Sequence, residues 1–131
     1  SLQFDILKKI KKQLPNFPIV LHGASSIASK YVNIINQNGG NIKNAIGVSE
    51  NQLRKAIKNG ISKINIDSDI RIAMTAIIRK TLTKNPKEFN PREYLGPARE
   101  ELIKIIKHKN KKIFGSTGFG HKINIMGVQL P

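Results

Sequence analysis

A histidine and an asparagine, each set in or beyond a short apolar run, carry the strongest chemical character in this chain. Ile19-Val20-Leu21 leads directly into His22-Gly23-Ala24-Ser25-Ser26, and Lys63-Ile64-Asn65-Ile66-Asp67-Ser68-Asp69 has a similar build. Consecutive branched apolar residues without alternation mark a strand buried on both faces, as in parallel sheets. Such a strand would deliver the His22 imidazole to its C-terminal end, where it can ligate a metal. Gly23, Ala24 and Ser25 then offer backbone amides and a hydroxyl with little bulk, which suits an oxyanion. Asn65, Asp67 and Ser68 supply polar groups at the second strand end, and a helix starting near Asp69 would aim its N-terminal amides the same way. Two such ends side by side imply phosphate handling on an α/β scaffold.

Each residue also has a plainer reading. A single histidine at a strand end can be a hydrogen-bonded structural residue. Gly23-Ala24-Ser25 can be an ordinary turn that ends in a helix cap, and Asp67 and Asp69 can be helix N-caps. Asn65 leans further towards function, because an amide inside an apolar strand needs partners. No HxxxH, HExxH, CxxC or P-loop pattern occurs.

The elements that must position these residues follow from periodicity. Phe4, Leu7, Ile10 and Leu14 place a helix over 3–14, with lysines opposite, stopped by Pro15-Asn16. Strands are expected at 18–22 and 61–67. A short helix over 28–37 closes at Gly39-Gly40. Ser49-Glu50-Asn51-Gln52 is a capping box that opens a helix to about Asn59, with Gly60 as its C-terminal cap. An apolar-faced helix covers 69–83 through Ile70, Ala73, Met74, Ile77, Ile78 and Leu82. Asn90-Pro91-Arg92-Glu93 is another N-cap signature, and a further helix is expected from about Pro97 to Lys112. Strands separated by helices argue for parallel βα units. Two strands alone leave open edges and too little surface to bury these helices, so the chain reads as part of a larger α/β body, or as one that needs a partner, from the same gene or a separate chain, to complete its sheet.

Composition bounds the function. The chain has 131 residues and no cysteine, which excludes disulfides and thiolate metal sites. No apolar run approaches the ~18 residues that span a bilayer, and no signal-peptide pattern opens the chain, so a cytoplasmic protein is expected. Net charge is +15, from 23 Lys+Arg against 8 Asp+Glu. Such a charge raises nucleic acid as a partner. Yet the lysines, among them Lys8, Lys9, Lys11, Lys12, Lys104, Lys107, Lys109, Lys111 and Lys112, are dispersed over helix faces. Aromatic residues are only 5 %, without the basic, glycine-flanked strand of an RNA-recognition module. The charge instead favours anionic, phosphorylated substrates by long-range steering.

Four segments in this order and spacing resemble class II, zinc-dependent fructose-1,6-bisphosphate aldolases of the class IIB type. They are Pro18–Ser26, Gly60–Arg71, Asn85–Glu101 and Phe114–Gly118, and the likeness runs from about Leu2 to Gly118. The resemblance implies an incomplete (β/α)8 barrel, its last two strands with their helices over residues 1–118; the glycine-rich run from Gly115 to Gly120 leads into what is expected to be a flexible tail over 119–131. His22 matches the last of three zinc-binding histidines. Gly23 and Ser25 match the loop for the dihydroxyacetone-phosphate phosphate, and the Gly23 backbone also matches a monovalent-cation site for Na+ or K+. Asn65 matches the residue that contacts the enediolate, and Asp67 and Ser68 match the second phosphate-binding element. Arg92 matches the arginine that reaches the other phosphate, typically across a subunit interface of a homo-oligomer. Zinc would polarise the ketose carbonyl as a Lewis acid.

The chain departs from that pattern in places. Ser68 stands where the family usually has Thr, keeping the hydroxyl. Ile27–Lys30 lacks the proline and acidic residues common after the HGAS loop, and Ile123–Pro131 matches nothing in the family. A barrel needs on the order of 250 residues. Two zinc histidines, the acidic residue that handles the proton and six strands are not in this sequence, and neither His108 nor His121 is placed to replace them. The expected activity is therefore that of a complete enzyme: reversible cleavage of a phosphorylated sugar, fructose 1,6-bisphosphate, into two triose phosphates. Alternatives are the tagatose epimer as substrate, or a non-catalytic basic fragment that binds phosphate or nucleic acid.

Overall fold

A computed structural model describes residues 2–26, 28–43, 45 and 47–118. The element order is α1 (Phe4–Gln13), β1 (Ile19–Leu21), α2 (Ser29–Gln37), α3 (Glu50–Lys58), β2 (Ile61–Ile64), α4 (Ser68–Lys84) and α5 (Pro91–Lys109), then a π-helical turn over Asn110–Phe114. The described residues form a mixed α/β arrangement with two parallel strands in an unclosed sheet. The expected tail at 119–131, with His121, lies outside the described residues.

Local chemistry sets the boundaries. Asn16 takes a positive φ after Pro15 and ends α1. Ser49 Oγ accepts from the Gln52 amide at 3.3 Å and starts α3. At the end of α2 the Gly40 amide donates to Ile35 O at 2.8 Å, with Gly39 at φ +78° between them, a Schellman closure. α5 begins at Pro91, not near Pro97 as expected from the sequence. Asn90 Oδ1 accepts from the Arg92 amide at 3.1 Å, and Pro91 takes the first helical position, where no amide proton is needed. Pro97 is carried inside the helix, directly after Gly96.

Strand pairing is Ile19↔Ile61, Val20↔Lys63 and Leu21↔Ile64, with an irregularity between Ile19 and Val20. β2 stops at Ile64, three residues short of the expected end, although the Asn65 amide still donates to Leu21 O at 3.0 Å. The strands are not buried on both faces as expected: Val20 is 43 % exposed. Among the described residues no layer covers that side of the sheet.

Among the described residues two small apolar clusters hold the elements together. Tyr31 and Ile35 of α2 pack with Ala73 and Ala76 of α4, flanked by Leu102 and Ile105 of α5. Ala24, Leu53 and Ile113 form the other, against Leu21, Ile64 and Phe114. The buried stripe of α4 is Asp69, Ala73 and Ala76; of the expected Ile70, Ala73, Met74, Ile77, Ile78 and Leu82 only Ala73 is fully buried and the others are half-buried. α4 packs on α2 and α5 at once, and two alanines let both helices approach. α1 buries no residue, and Ile6 and Ile10 on it and Leu14 at its C-cap are exposed. None of the described helices is long and apolar enough to cross a membrane.

Candidate functional site at the strand ends

The parallel register that pairs Leu21 with Ile64 places His22 beside Asn65. Their side chains meet: Asn65 Nδ2 lies 3.0 Å from His22 Nδ1. His22 is exposed and Asn65 half-buried, so the pair sits at the mouth of the strand ends. Gly23 follows at φ +61°, and a Cβ there would have nothing within 4 Å. The glycine answers a backbone demand rather than a lack of space. The turn it makes drops Ala24 into the core, fully buried on Leu53 and Ile113. Ser25 O accepts from the Val48 amide at 2.9 Å, which ties the loop to the segment before α3.

Across from it, Asp67 stands at the N-cap of α4 but its carboxylate does not cap. Oδ1 accepts from Arg71 Nε at 2.8 Å instead. Asp67 O receives the Ile70 and Arg71 amides, and Ser68 is exposed in the first turn. The Ser68 and Asp69 amides and the Ser68 hydroxyl remain as the groups suited to an anion, while the Asp67 negative charge is taken up locally. Thus His22 and Asn65 are in contact, and the Gly23–Ser25 and Asp67–Ser68 turns each follow one of them. Arg92 stands apart: it is exposed in the first turn of α5, and no described side-chain bond links it to the others.

A further cluster was not legible residue by residue. Lys109, expected as one of many lysines dispersed over helix faces, is only 6 % exposed, as is Asp69. Lys109 Nζ lies 2.7 Å from Asp69 Oδ2 and donates to Ser26 Oγ at 2.8 Å. The approach to the carboxylate is close but off the line of a good hydrogen bond, since neither Asp69 oxygen counts a hydrogen-bond partner. Charge holds that contact. The available signal was the stripe Ala98-Leu102-Ile105-Lys109, spaced i, i+4, i+7, i+11, which sets Lys109 on the apolar face of α5.

A cavity of ≈ 350 Å³ opens behind the loops rather than over His22, lined among others by Ser26, Tyr31, Asp69, Glu101 and Lys109. On its wall Tyr31 Oη donates to Glu101 Oε1 at 2.6 Å. That hydrogen bond, with Lys30 and Lys104 nearby, holds the Glu101 carboxyl below its usual range. Burial, then the Glu101 acceptor, pushes the Tyr31 phenol up. His108 Nε2 lies 2.9 Å from Glu50 Oε1, so this histidine serves to join α5 to α3.

Parallel strands linked through helices, with polar side chains gathered at their C-terminal ends, define an α/β chain of the kind that works at its strand ends. A sequence model of the family described as fructose-bisphosphate aldolase class-II matches residues 1–119, and the chain belongs to that family. It is 56 % identical over 117 residues to the fructose-bisphosphate aldolase of Treponema pallidum, covering 89 % of this chain and 35 % of that protein. It is 48 % identical over 112 residues to that of Thermus caldophilus, covering 86 % and 36 %. With the Giardia intestinalis fructose-bisphosphate aldolase it shares 38 % over 128 residues, covering 98 % and 39 %. The chain thus spans about a third of the length of these relatives.

Proposed function

We propose that residues 1–118 are the last two strands and attendant helices of a (β/α)8 barrel in a class IIB, zinc-dependent aldolase. The complete domain would cleave fructose 1,6-bisphosphate reversibly into dihydroxyacetone phosphate and glyceraldehyde 3-phosphate, as a cytoplasmic homo-oligomer. The observation that supports this best is the His22–Asn65 contact at 3.0 Å. It joins two parallel strand ends, the position where barrel enzymes carry their chemistry, and each end continues into a hydroxyl-bearing turn. In this reading His22 is a zinc ligand and Asn65 faces the reacting sugar. The Gly23–Ser25 turn and the Asp67–Ser68 helix start share the phosphate, and the Gly23 backbone holds Na+ or K+. Arg92 serves the other phosphate, where a planar guanidinium is the matching partner.

A catalytic zinc takes three protein ligands. Among the described residues no three His, Cys, Asp or Glu side chains gather to hold a metal. These residues do not fit a complete zinc centre, and His22 is at most one ligand of a centre shared with parts of the domain outside this chain.

The test is a chimera in which this chain replaces the matching segment of the Treponema pallidum protein. It should cleave fructose 1,6-bisphosphate when zinc is supplied, and His22→Ala should abolish cleavage. The chain by itself, with zinc, should give no turnover. A folded, zinc-loaded chimera that leaves the sugar intact overturns the reading, as does turnover by the chain alone. Running tagatose 1,6-bisphosphate in parallel decides between the two epimers.

A further inference from the structure

The two strand-end turns are joined at their tips by His22 and Asn65, and they are joined again on the far side by a residue from a third element. Lys109, on the last turn of α5, donates to Ser26 Oγ at 2.8 Å and pairs with Asp69 Oδ2 at 2.7 Å. Ser26 directly follows Ser25 of the first turn, and Asp69 directly follows Ser68 of the second. Both charged side chains are more than nine-tenths buried. A buried ion pair is a weak source of net stability, because desolvation offsets much of the attraction. It is a strong source of geometry, because neither charge can leave its partner without a large penalty. The surrounding packing fixes the reach of Lys109. Ala98, Leu102 and Ile105 lie on the same stripe of α5, and Ala73 and Ala76 on the stripe of α4 that carries Asp69.

We propose that Lys109 is a positioning residue, a buried clamp that holds the Gly23–Ser26 turn and the first turn of α4 at a fixed separation. This rests on the reading of those turns as one phosphate cradle. An anion shared between two turns needs both sets of donors within hydrogen-bond reach at once, so their spacing sets affinity although Lys109 does not touch the ligand. The basic group acts through structure here and not as a solvated charge.

Amide hydrogen exchange on the full chain tests it. The Val48 amide, bonded to Ser25 O, reports on the first turn, and the Ile70 and Arg71 amides, bonded to Asp67 O, report on the second. Ser26→Ala cuts one arm of the clamp and should speed Val48 exchange about tenfold while Ile70 and Arg71 keep their rates. The double variant D69N/K109M removes both charges together, which avoids a stranded buried ion, and should speed all three. The amides of Ile35 and Ala76 serve as controls and should not change. Exchange at parent rates for all three reporters in the double variant overturns the clamp. So does acceleration of reporters and controls together, which would mark a merely structural pair. Inorganic phosphate titrated into the same samples should bind about tenfold more weakly to the double variant. A parent chain that binds no phosphate, with the exchange pattern as expected, defeats the cradle and leaves the clamp standing.

Discussion

Asn65 and His22 meet across the two strands with Nδ2 3.0 Å from Nδ1. An amide nitrogen only donates, so the ring nitrogen that it meets is the acceptor, and neutral His22 carries its proton on Nε2. The contact thus fixes a tautomer as well as a ring orientation, and for His22 to ligate a metal the Asn65 amide would have to give up Nδ1, since Nε2 carries the proton. Nitrogen-15 NMR of the chain at alkaline pH should show Nδ1 of His22 as the unprotonated nitrogen. In Asn65→Leu the two tautomers should mix. The same tautomer in both proteins would show that Asn65 does not orient the ring.

That contact was legible in the sequence because its causes are local. Branched apolar residues make strands, helices between them make the strands parallel, and parallel strands in register bring equivalent ends together. The stops at Asn16, Gly40 and Gly60 were equally local. What depended on tertiary partners was not legible. The buried stripe of α4 is limited to Asp69, Ala73 and Ala76 because α2 and α5 press on it together, which the residues of α4 do not state. Lys109 looked like one lysine of many, and only the opposed stripe with Asp69 on α4 makes it a buried one. The start of α5 at Pro91 was written in the cap signature Asn90-Pro91-Arg92-Glu93, although the helix was expected only from about Pro97. A proline directly after a glycine is carried inside the helix nonetheless.

Leu53 is fully buried and packs on Ala24, directly beneath the Gly23–Ser25 turn. Leu53→Ala should cost about 2–5 kcal/mol through lost burial and a residual cavity. Ile6, exposed on α1, should tolerate the same truncation within about 0.5 kcal/mol. Urea denaturation followed by circular dichroism measures both. Equal losses would mean that the two-cluster core does not form in solution.

The Tyr31–Glu101 hydrogen bond predicts an acid-sensitive link between α2 and α5. Glu101 titrates below its ordinary value of 4.5 in the folded chain, so in that range the unfolded state binds more protons. Its contribution is fully present above pH 4.5 and is lost as pH falls through the lowered value. The Tyr31 phenol lies above its ordinary 10.0, so its contribution is present below pH 10 and is lost as pH rises beyond it. Tyr31→Phe should cost about 1.5 kcal/mol at neutral pH, the scale of a hydrogen bond to a charged acceptor. The gap between parent and variant should narrow below pH 4.5 and above pH 10. Urea midpoints at neutral, acidic and alkaline pH check this, and a gap independent of pH would assign the effect to packing alone.

Gly23 and Gly40 are both required, for opposite physical reasons. At Gly40 φ is ordinary, but a Cβ would lie 2.7 Å from Ile35 O and clash with the Ile35 side chain. At Gly23 the space is open and φ is +61°, so only the left-handed backbone resists a side chain, by about 1–2 kcal/mol for most residues. Asparagine visits that region more readily than alanine. Gly23→Asn should therefore retain more stability than Gly23→Ala, whereas at Gly40 the larger asparagine should be worse than alanine, because there the obstacle is bulk. Thermal unfolding of the four variants reads the two orders directly. If Ala and Asn ranked the same way at both sites, the turn after His22 would be limited by crowding and not by its backbone. The room that an anion needs beside Gly23 would then be missing.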